Sequence, residues 1–292
     1  MFTLPAPAKI NWFLFVPGKR DDGYHEIRSL MQCVDLADQL SFEAADTLSL
    51  EANCSIPTYD NAVWRAALLL KEHAGIDKGA RISLKKNVPM EAGLGGGSSD
   101  AASALMGLNR LWELGLSGGE LSRLGAKLGS DVPFFLGARC SLVSGRGEIT
   151  KPVGLEGSFA LLIVKPSFGV PTPWAYRALS RYTGLTNAGN NIKLFIRALK
   201  DGDLESLDTS GGNDLETGVL PAYPEISRIK DALKREGASY VMMSGSGSTV
   251  FGVFRNQEAA RRAARKMSWW CRIASTVCAD GGMDGAAGQT GA

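Results

Sequence analysis

Residues 91–105 read EAGLGGGSSDAASAL, and no other stretch restricts the chain as much. Before it, in ARISLKKNVPM, Ile82 and Leu84 alternate with polar residues as in a half-buried strand until Pro89 stops the pattern. After it, Ala101, Ala104, Leu105, Leu108, Leu111 and Trp112 fall at helical spacing, with Ser98 or Ser99 as the expected N-cap and Asp100 in the first turn. The order is strand, glycine turn, helix. The first N–H groups of a helix have no internal partner, and glycines let the preceding backbone take φ > 0 and curl its own N–H groups inward. A phosphate satisfies both sets. A flexible Gly/Ser linker has no reason to lie between a strand and an amphipathic helix. Neither common phosphate pattern fits: Gly97 is followed by Ser98, Ser99 and Asp100 where the Walker motif needs Lys and Ser/Thr, and Ser98 stands where a dinucleotide fingerprint needs Gly.

A second glycine turn, SGSGST at 244–249, separates the strand patterns SYVMMS and TVFGVFR. Alone it reads as a hairpin. Beside the first loop it suggests two anion nests facing one polyphosphate across a cleft.

At 292 residues the chain is long enough for two domains with real cores. Strand signals fill the first half: KINWFLFV, IRSLMQCVD, DQLSFEA, DTLSLEA and ARISLKKN, interrupted by helices near 60–74, 98–114 and 118–128. The last of these helices carries a capping box, Ser117 with Glu120. CSLVSGRGEITKPV reads as a hairpin about SGRG. The break at KPVGLEGS divides the chain into domains 1–152 and 153–280, with 281–292 a small, polar tail expected to be disordered. Beyond the break come a strand at 159–165, a helix opened by Thr172 and Pro173, helices near 190–200 and 221–236, a helix at 256–267 and the strand CRIASTV. The class is α+β.

With 45% hydrophobic and 21% charged residues and a net charge of +2, the chain reads as a soluble globular protein and not as a dedicated polyanion binder. Arg261, Arg262, Arg265 and Lys266 stand opposite an alanine stripe, as a solvated helix face does. Five scattered cysteines without C-x-x-C spacing read as reduced thiols of a cytoplasmic protein. The N-terminus lacks the pattern of a signal peptide, and FALLIV at 159–164 is too short to span a bilayer. Neither nucleic acid nor membrane is an expected partner.

PxxxGLGGGSSDAA at 89–102, the SGSGS turn and PAPAKIN near the start are together similar to the three motifs of the GHMP kinases, small-molecule kinases with a phosphate loop unlike Walker A. PAKINWFL, RDDGYHEIRSLMQ, DNAVWRAA, LGSDVPFFL and GVPTPWAY resemble, from about residue 5 to about 255, the branch that acts on a CDP-linked methylerythritol. The resemblance implies a domain of the ribosomal-protein-S5 type followed by a ferredoxin-like domain, with the active site between them. It implies transfer of phosphate from ATP to the tertiary 2-hydroxyl of that substrate, a step in the non-mevalonate route to isoprenoid precursors. A homodimer is compatible with it.

Residue by residue, the resemblance makes Asp131 the catalytic aspartate, where spacing alone would read a turn or cap residue before Pro133. Lys9 becomes its partner, holding Asp131 ionised and stabilising developing alkoxide. Asn11, two residues along the strand, faces the same side. Residues Pro89, Met90, Glu91, Ala92, Gly93, Leu94, Gly95, Gly96, Gly97, Ser98 and Ser99 are expected to hold ATP, with Asn61 and Lys86 by the adenine; otherwise Asn61 caps a helix and Lys86 is a solvated strand end. Tyr24 and His25 in GYH, with Tyr176 opposite Tyr24, are expected to take the cytidine, and Gly245 and Gly247 to complete the substrate site. Mg2+ is expected with ATP because phosphoryl transfer needs charge neutralisation, and Ser98 or Ser99 is the side chain named for it. Glu120 is left to its capping box. The rivals are a kinase of another small alcohol and a ligand sensor that binds without transfer.

Overall fold

The computed structural model describes residues 1–180 and 182–277; the expected tail at 281–292 and Cys278 lie outside the described residues. KINWFLFV forms the middle of β1 (Phe2–Lys19), which is buried from Ala6 to Val16. Ala6, Leu14 and Val16 join one core, while Ala8, Ile10, Trp12, Phe13 and Phe15 join a second. β1 therefore lies between the two halves of the molecule. A strand covered on both faces reads as a continuous apolar run, which makes two polar residues within it, Lys9 and Asn11, conspicuous.

IRSLMQCVD and DQLSFEA form one strand, β2 (His25–Ala45), and not two. The remaining elements of this half are β3 (Leu48–Ala52), α1 (Ala62–Ala74), β4 (Gly79–Lys85), α2 (Gly96–Leu111), α3 (Gly118–Leu128), α4 (Val132–Leu136), β5 (Cys140–Ser144) and β6 (Ile149–Pro152). β2 pairs with β1 along its length, whereas its other edge takes β5 at Ser29–Gln32 and β4 at Gln39–Ala45. That edge changes partner between Gln32 and Gln39. The sheet order is β3-β4-β2-β5-β6, with β1 on β2. Gly107 brings α2 close to the sheet: a Cβ there would lie 2.4 Å from the Phe42 ring.

The second half contains β7 (Ala160–Lys165), α5 (Thr172–Arg177), α6 (Leu185–Asp201), α7 (Leu207–Ser210), α8 (Glu216–Ala222), α9 (Pro224–Arg235), β8 (Tyr240–Met243), β9 (Val250–Phe254), α10 (Gln257–Ala264) and β10 (Trp270–Ser275). The helix expected near 221–236 is broken at Tyr223, because Pro224 disfavours helical geometry in the residue before it. β10-β7-β9-β8 is an antiparallel sheet in the strand order of a ferredoxin-like fold. Trp12 reaches from β1 into this half, edge-on to Phe159 and Phe251, and its carbonyl accepts the Tyr240 hydroxyl at 2.5 Å. Among the described residues no helix is long and apolar enough to cross a membrane.

Candidate active site

A cleft of about 1280 Å³ runs between the halves, lined by Lys9, Asn11, Tyr24, His25, Asn61, Lys86, residues 89–98, Asp131, Tyr176 and Gly245. Its floor is the glycine loop. α2 starts at Gly96, with Gly95 as N-cap at φ 69 and no side-chain cap, so Ser98 and Ser99 lie inside the helix and do not open it. Glycine takes the cap position because the chain turns left-handed there, where a Cβ is strained. A Cβ on Gly95 would also lie 2.9 Å from the Phe135 ring and 3.1 Å from Lys9 Cγ. Ser98 lines the cleft, but Ser99 is fully buried beneath it with its hydroxyl unpartnered, and it leaves the ligand candidates.

The two glycine turns touch each other and do not face across a gap. Gly93 O accepts from Ser244 Oγ at 2.9 Å and from Lys9 Nζ at 2.7 Å, and Ala92 O accepts from Thr249 N at 3.3 Å. At Gly93, φ 70, a Cβ would sit 2.0 Å from Ser244 O. Asn213 Nδ2 anchors the second turn by donating to Met243 O and Gly245 O. A Cβ on Gly245 would be 3.2 Å from Lys9 Nζ, so this turn packs around the lysine head. Gly247 faces Met243 and Ile226 instead and does not line the cleft, which removes it from the substrate site.

Lys9 is 3% exposed. Its ammonium donates to Asn11 Oδ1 at 2.5 Å as well as to Gly93 O, and Asn11 Nδ2 donates to Ser29 Oγ at 2.8 Å. Burial pulls the Lys9 pKa down, and the charge of Asp131 acts the other way. Asp131 stands at the N-cap position of α4, yet its side chain caps nothing, so the turn-residue reading leaves its carboxylate without a task. Its charge also acts on Tyr176, whose hydroxyl pKa is raised first by burial and then by Asp131.

At the opposite end of the cleft Tyr176 stacks on His25, centroids 5.0 Å apart and planes 25° from parallel, and Tyr24 lines the same cleft. Tyr24 is 52% exposed, with the Arg146 guanidinium 5.1 Å from its ring centroid. Tyr182 stacks on His25 at 6.2 Å. Arg146 comes from the SGRG turn, which the sequence offered only as a hairpin. Burial lowers the pKa of His25, aided by the charge of Lys19.

Asn61 caps α1 through Oδ1, accepting from Val63 N at 3.0 Å, while lining the cleft. Lys86 is not a solvated strand end. Its ammonium lies between the carboxylates of Asp38 and Asp100, at 2.7 Å from the latter. From sequence Asp38 is not singled out, and Asp100 reads only as a first-turn helix residue. Asp100 falls within α2 beyond its first turn, since the helix begins earlier than expected. Glu120 forms its capping box with Ser117. Among the described residues no three His, Cys, Asp or Glu side chains converge as a metal cluster.

Residues 61–138 match the family model described as GHMP kinases N terminal domain, and residues 195–271 that described as GHMP kinases C terminal. The 4-diphosphocytidyl-2-C-methyl-D-erythritol kinase of Thermodesulfovibrio yellowstonii is 45% identical over 95% of this chain and 98% of its own length. The enzyme of the same name from Pelobacter propionicus is 41% identical over 94% and 99%. A crystal structure of 4-(cytidine 5'-diphospho)-2C-methyl-D-erythritol kinase superposes with a TM-score of 0.81 at 34% identity, covering 94% of this chain and 99% of that one. Homoserine kinase from Cytophaga hutchinsonii, at 20% identity and a TM-score of 0.70 over 92% of this chain and 95% of its own, shares the fold.

Proposed function

The chain belongs to the GHMP kinase family, and we infer that it transfers the γ-phosphoryl group of ATP to the 2-hydroxyl of 4-diphosphocytidyl-2-C-methyl-D-erythritol, in the non-mevalonate route to isoprenoid precursors. The observation that carries the mechanism is the convergence on one cleft of a buried lysine, a carboxylate with no capping bond and a glycine loop at a helix N-terminus.

ATP lays its phosphates on residues 89–98, where the N–H groups at the start of α2 meet negative charge. Asn61 and Lys86 lie on the adenine side. The alcohol is a weak nucleophile, so Asp131 accepts its proton or, in a loose transition state, orients it. Lys9 keeps Asp131 ionised and stabilises the developing alkoxide, while Asn11, locked by Ser29, aims the lysine. Gly245 supplies backbone beside the same ammonium. Tyr24, His25 and Tyr176 bind the cytidine, with the base entering a site whose rings already stack on one another. Mg2+ coordinates few protein groups when phosphates and water complete its shell, so an ion brought by ATP needs no carboxylate cluster, and none is found among the described residues. Ser98 would hold it beside the phosphates, and when bound it neutralises their charge. The half-buried thiols of Cys54 and Cys271 and the buried thiol of Cys33 support a cytoplasmic location.

A coupled assay of ADP release tests the reading. ADP should appear rapidly with the CDP-linked alcohol and only at background with mevalonate or homoserine. Turnover of either rival at a comparable kcat/KM would overturn the substrate assignment.

A further inference from the structure

Asp38 is fully buried in the middle of β2, at the point where that strand loses its β4 partner. The ladder between β2 and β4 ends at Gln39 and Lys85. Beyond it the Asp38 side chain takes over from the strand backbone: Oδ1 accepts from Asn87 N at 2.5 Å and from Val88 N at 2.7 Å. Asn87 Nδ2 adds a bond to Ala37 O at 2.9 Å. Oδ2 receives the Lys86 ammonium, which also binds Asp100 on α2. Lys86 and Asp100 stand at the two feet of the glycine loop, and Asp38 fastens the first foot to the sheet. A Cβ on Gly96 would lie 3.3 Å from Lys86 Nζ and 3.1 Å from Val88, so the cluster is in contact with the loop's turn into α2.

We propose that Asp38 is a positioning residue for ATP: with Lys86 and Asp100 it forms a non-covalent staple that closes the phosphate loop at its base. Asp38 does not itself line the cleft; it acts through the backbone of residues 87 and 88 and through Lys86. Closing a loop before a ligand arrives removes part of the ordering cost of binding, which is why the effect is on nucleotide affinity. Buried carboxylates with several donors are expensive to lose, because each donor left behind is buried without a partner. The staple gives Lys86 a task that requires no contact with the adenine, and the proposal rests on the kinase reading above.

The test compares D38A, D38N and K86M with the wild type. ATP binding is followed by calorimetry with Mg2+ and a non-hydrolysable ATP analogue, and steady-state kinetics are measured for both substrates. D38A should weaken the analogue and raise the KM for ATP by roughly ten- to a hundredfold, with the KM for the CDP-linked alcohol and kcat at saturating ATP within about twofold. D38N keeps an acceptor for the two N–H groups and should recover part of the loss. Combining D38N with K86M should cost less than the sum of the two. Unchanged ATP affinity in D38A and D38N, strict additivity, or an equal loss for both substrates would overturn the staple. Should D38A fail to fold, D38N and K86M decide by the same criteria. A wild type that binds no nucleotide would instead defeat the kinase reading, a result separate from any variant.

Discussion

At one end of the cleft the Gly93 carbonyl takes hydrogen bonds from Lys9 and Ser244, Gly93 and Gly95 sit at φ 70 and 69, and the loop is fastened from behind. At the other end His25 and Tyr176 share a stack while Tyr24 lies half exposed under Arg146. The first end is made of backbone that buried side chains hold in place; the second is made of side chains whose rotamers can adjust. The difference follows from the ligands. A phosphate asks for N–H groups at fixed positions, whereas a nucleobase asks for flat faces that can close upon it. A side chain forced into the glycine loop itself should therefore be close to all-or-none in effect, and damage to the base end graded.

Gly95→Val is the strongest way to break the contrast. It places a branched side chain at a left-handed residue against Phe135 and Lys9, so ATP binding should be lost while the CDP-linked alcohol still binds. Calorimetry with each ligand checks this; retained ATP binding would mean that the loop is as adaptable as the aromatic end.

Asp131→Asn sits between the two ends and should disturb neither. We expect kcat to fall roughly 10²–10⁴-fold with both ligands still bound, since the base and the counter-charge of Lys9 go together. A near-normal kcat would return Asp131 to a turn residue. A fall of only about tenfold would favour orientation of the hydroxyl over proton acceptance.

Tyr24→Ala and Tyr176→Ala should each weaken the CDP-linked alcohol by about 1–3 kcal/mol and leave ATP nearly untouched. Tyr176 is the deeper of the two, so its variant should also lower the melting temperature more. Equal losses for both ligands would erase the division of the cleft.

The smallest effect concerns the staple's charge. Asp100 is pushed from an ordinary 3.8 up to about 7, first by burial and then, against the pull of Lys86, by the neighbouring Asp38 carboxylate. With its folded pKa raised, the folded state holds the proton more tightly than the unfolded chain. The stability from this group is complete below the ordinary value and lost as pH rises through about 7. Asp100→Asn should therefore melt higher than the wild type at pH 8, with the gap shrinking toward pH 4. A gap that is constant with pH, measured by thermal scans, would mean that Asp100 stays ionised throughout.

Much of the fold was legible because its signals are local. The strand, glycine turn and helix at 79–111, the Ser117 capping box and the apolar run of β1 each depend on neighbours in sequence, and periodicity and propensity report those directly. The errors fall where a distant partner decided. β2 runs on as one strand because β1 pairs with both of its halves, and α2 opens on Gly95 because Phe135 and Lys9 leave no room for a side chain there. The motif residues could be named from sequence and matched to a family, but not the contacts that set their positions. Lys86 turned inward because Asp38, 48 residues away, and Asp100, across the glycine loop, offer two carboxylates where water is excluded. Tyr176 met His25 because α5 and the start of β2 approach across the cleft. What the sequence alone determined is which chemical groups the chain possesses and which short segments present them. What only the tertiary structure decided is which of those groups share a dielectric and a hydrogen bond, because charge, burial and reach are properties of neighbours in space.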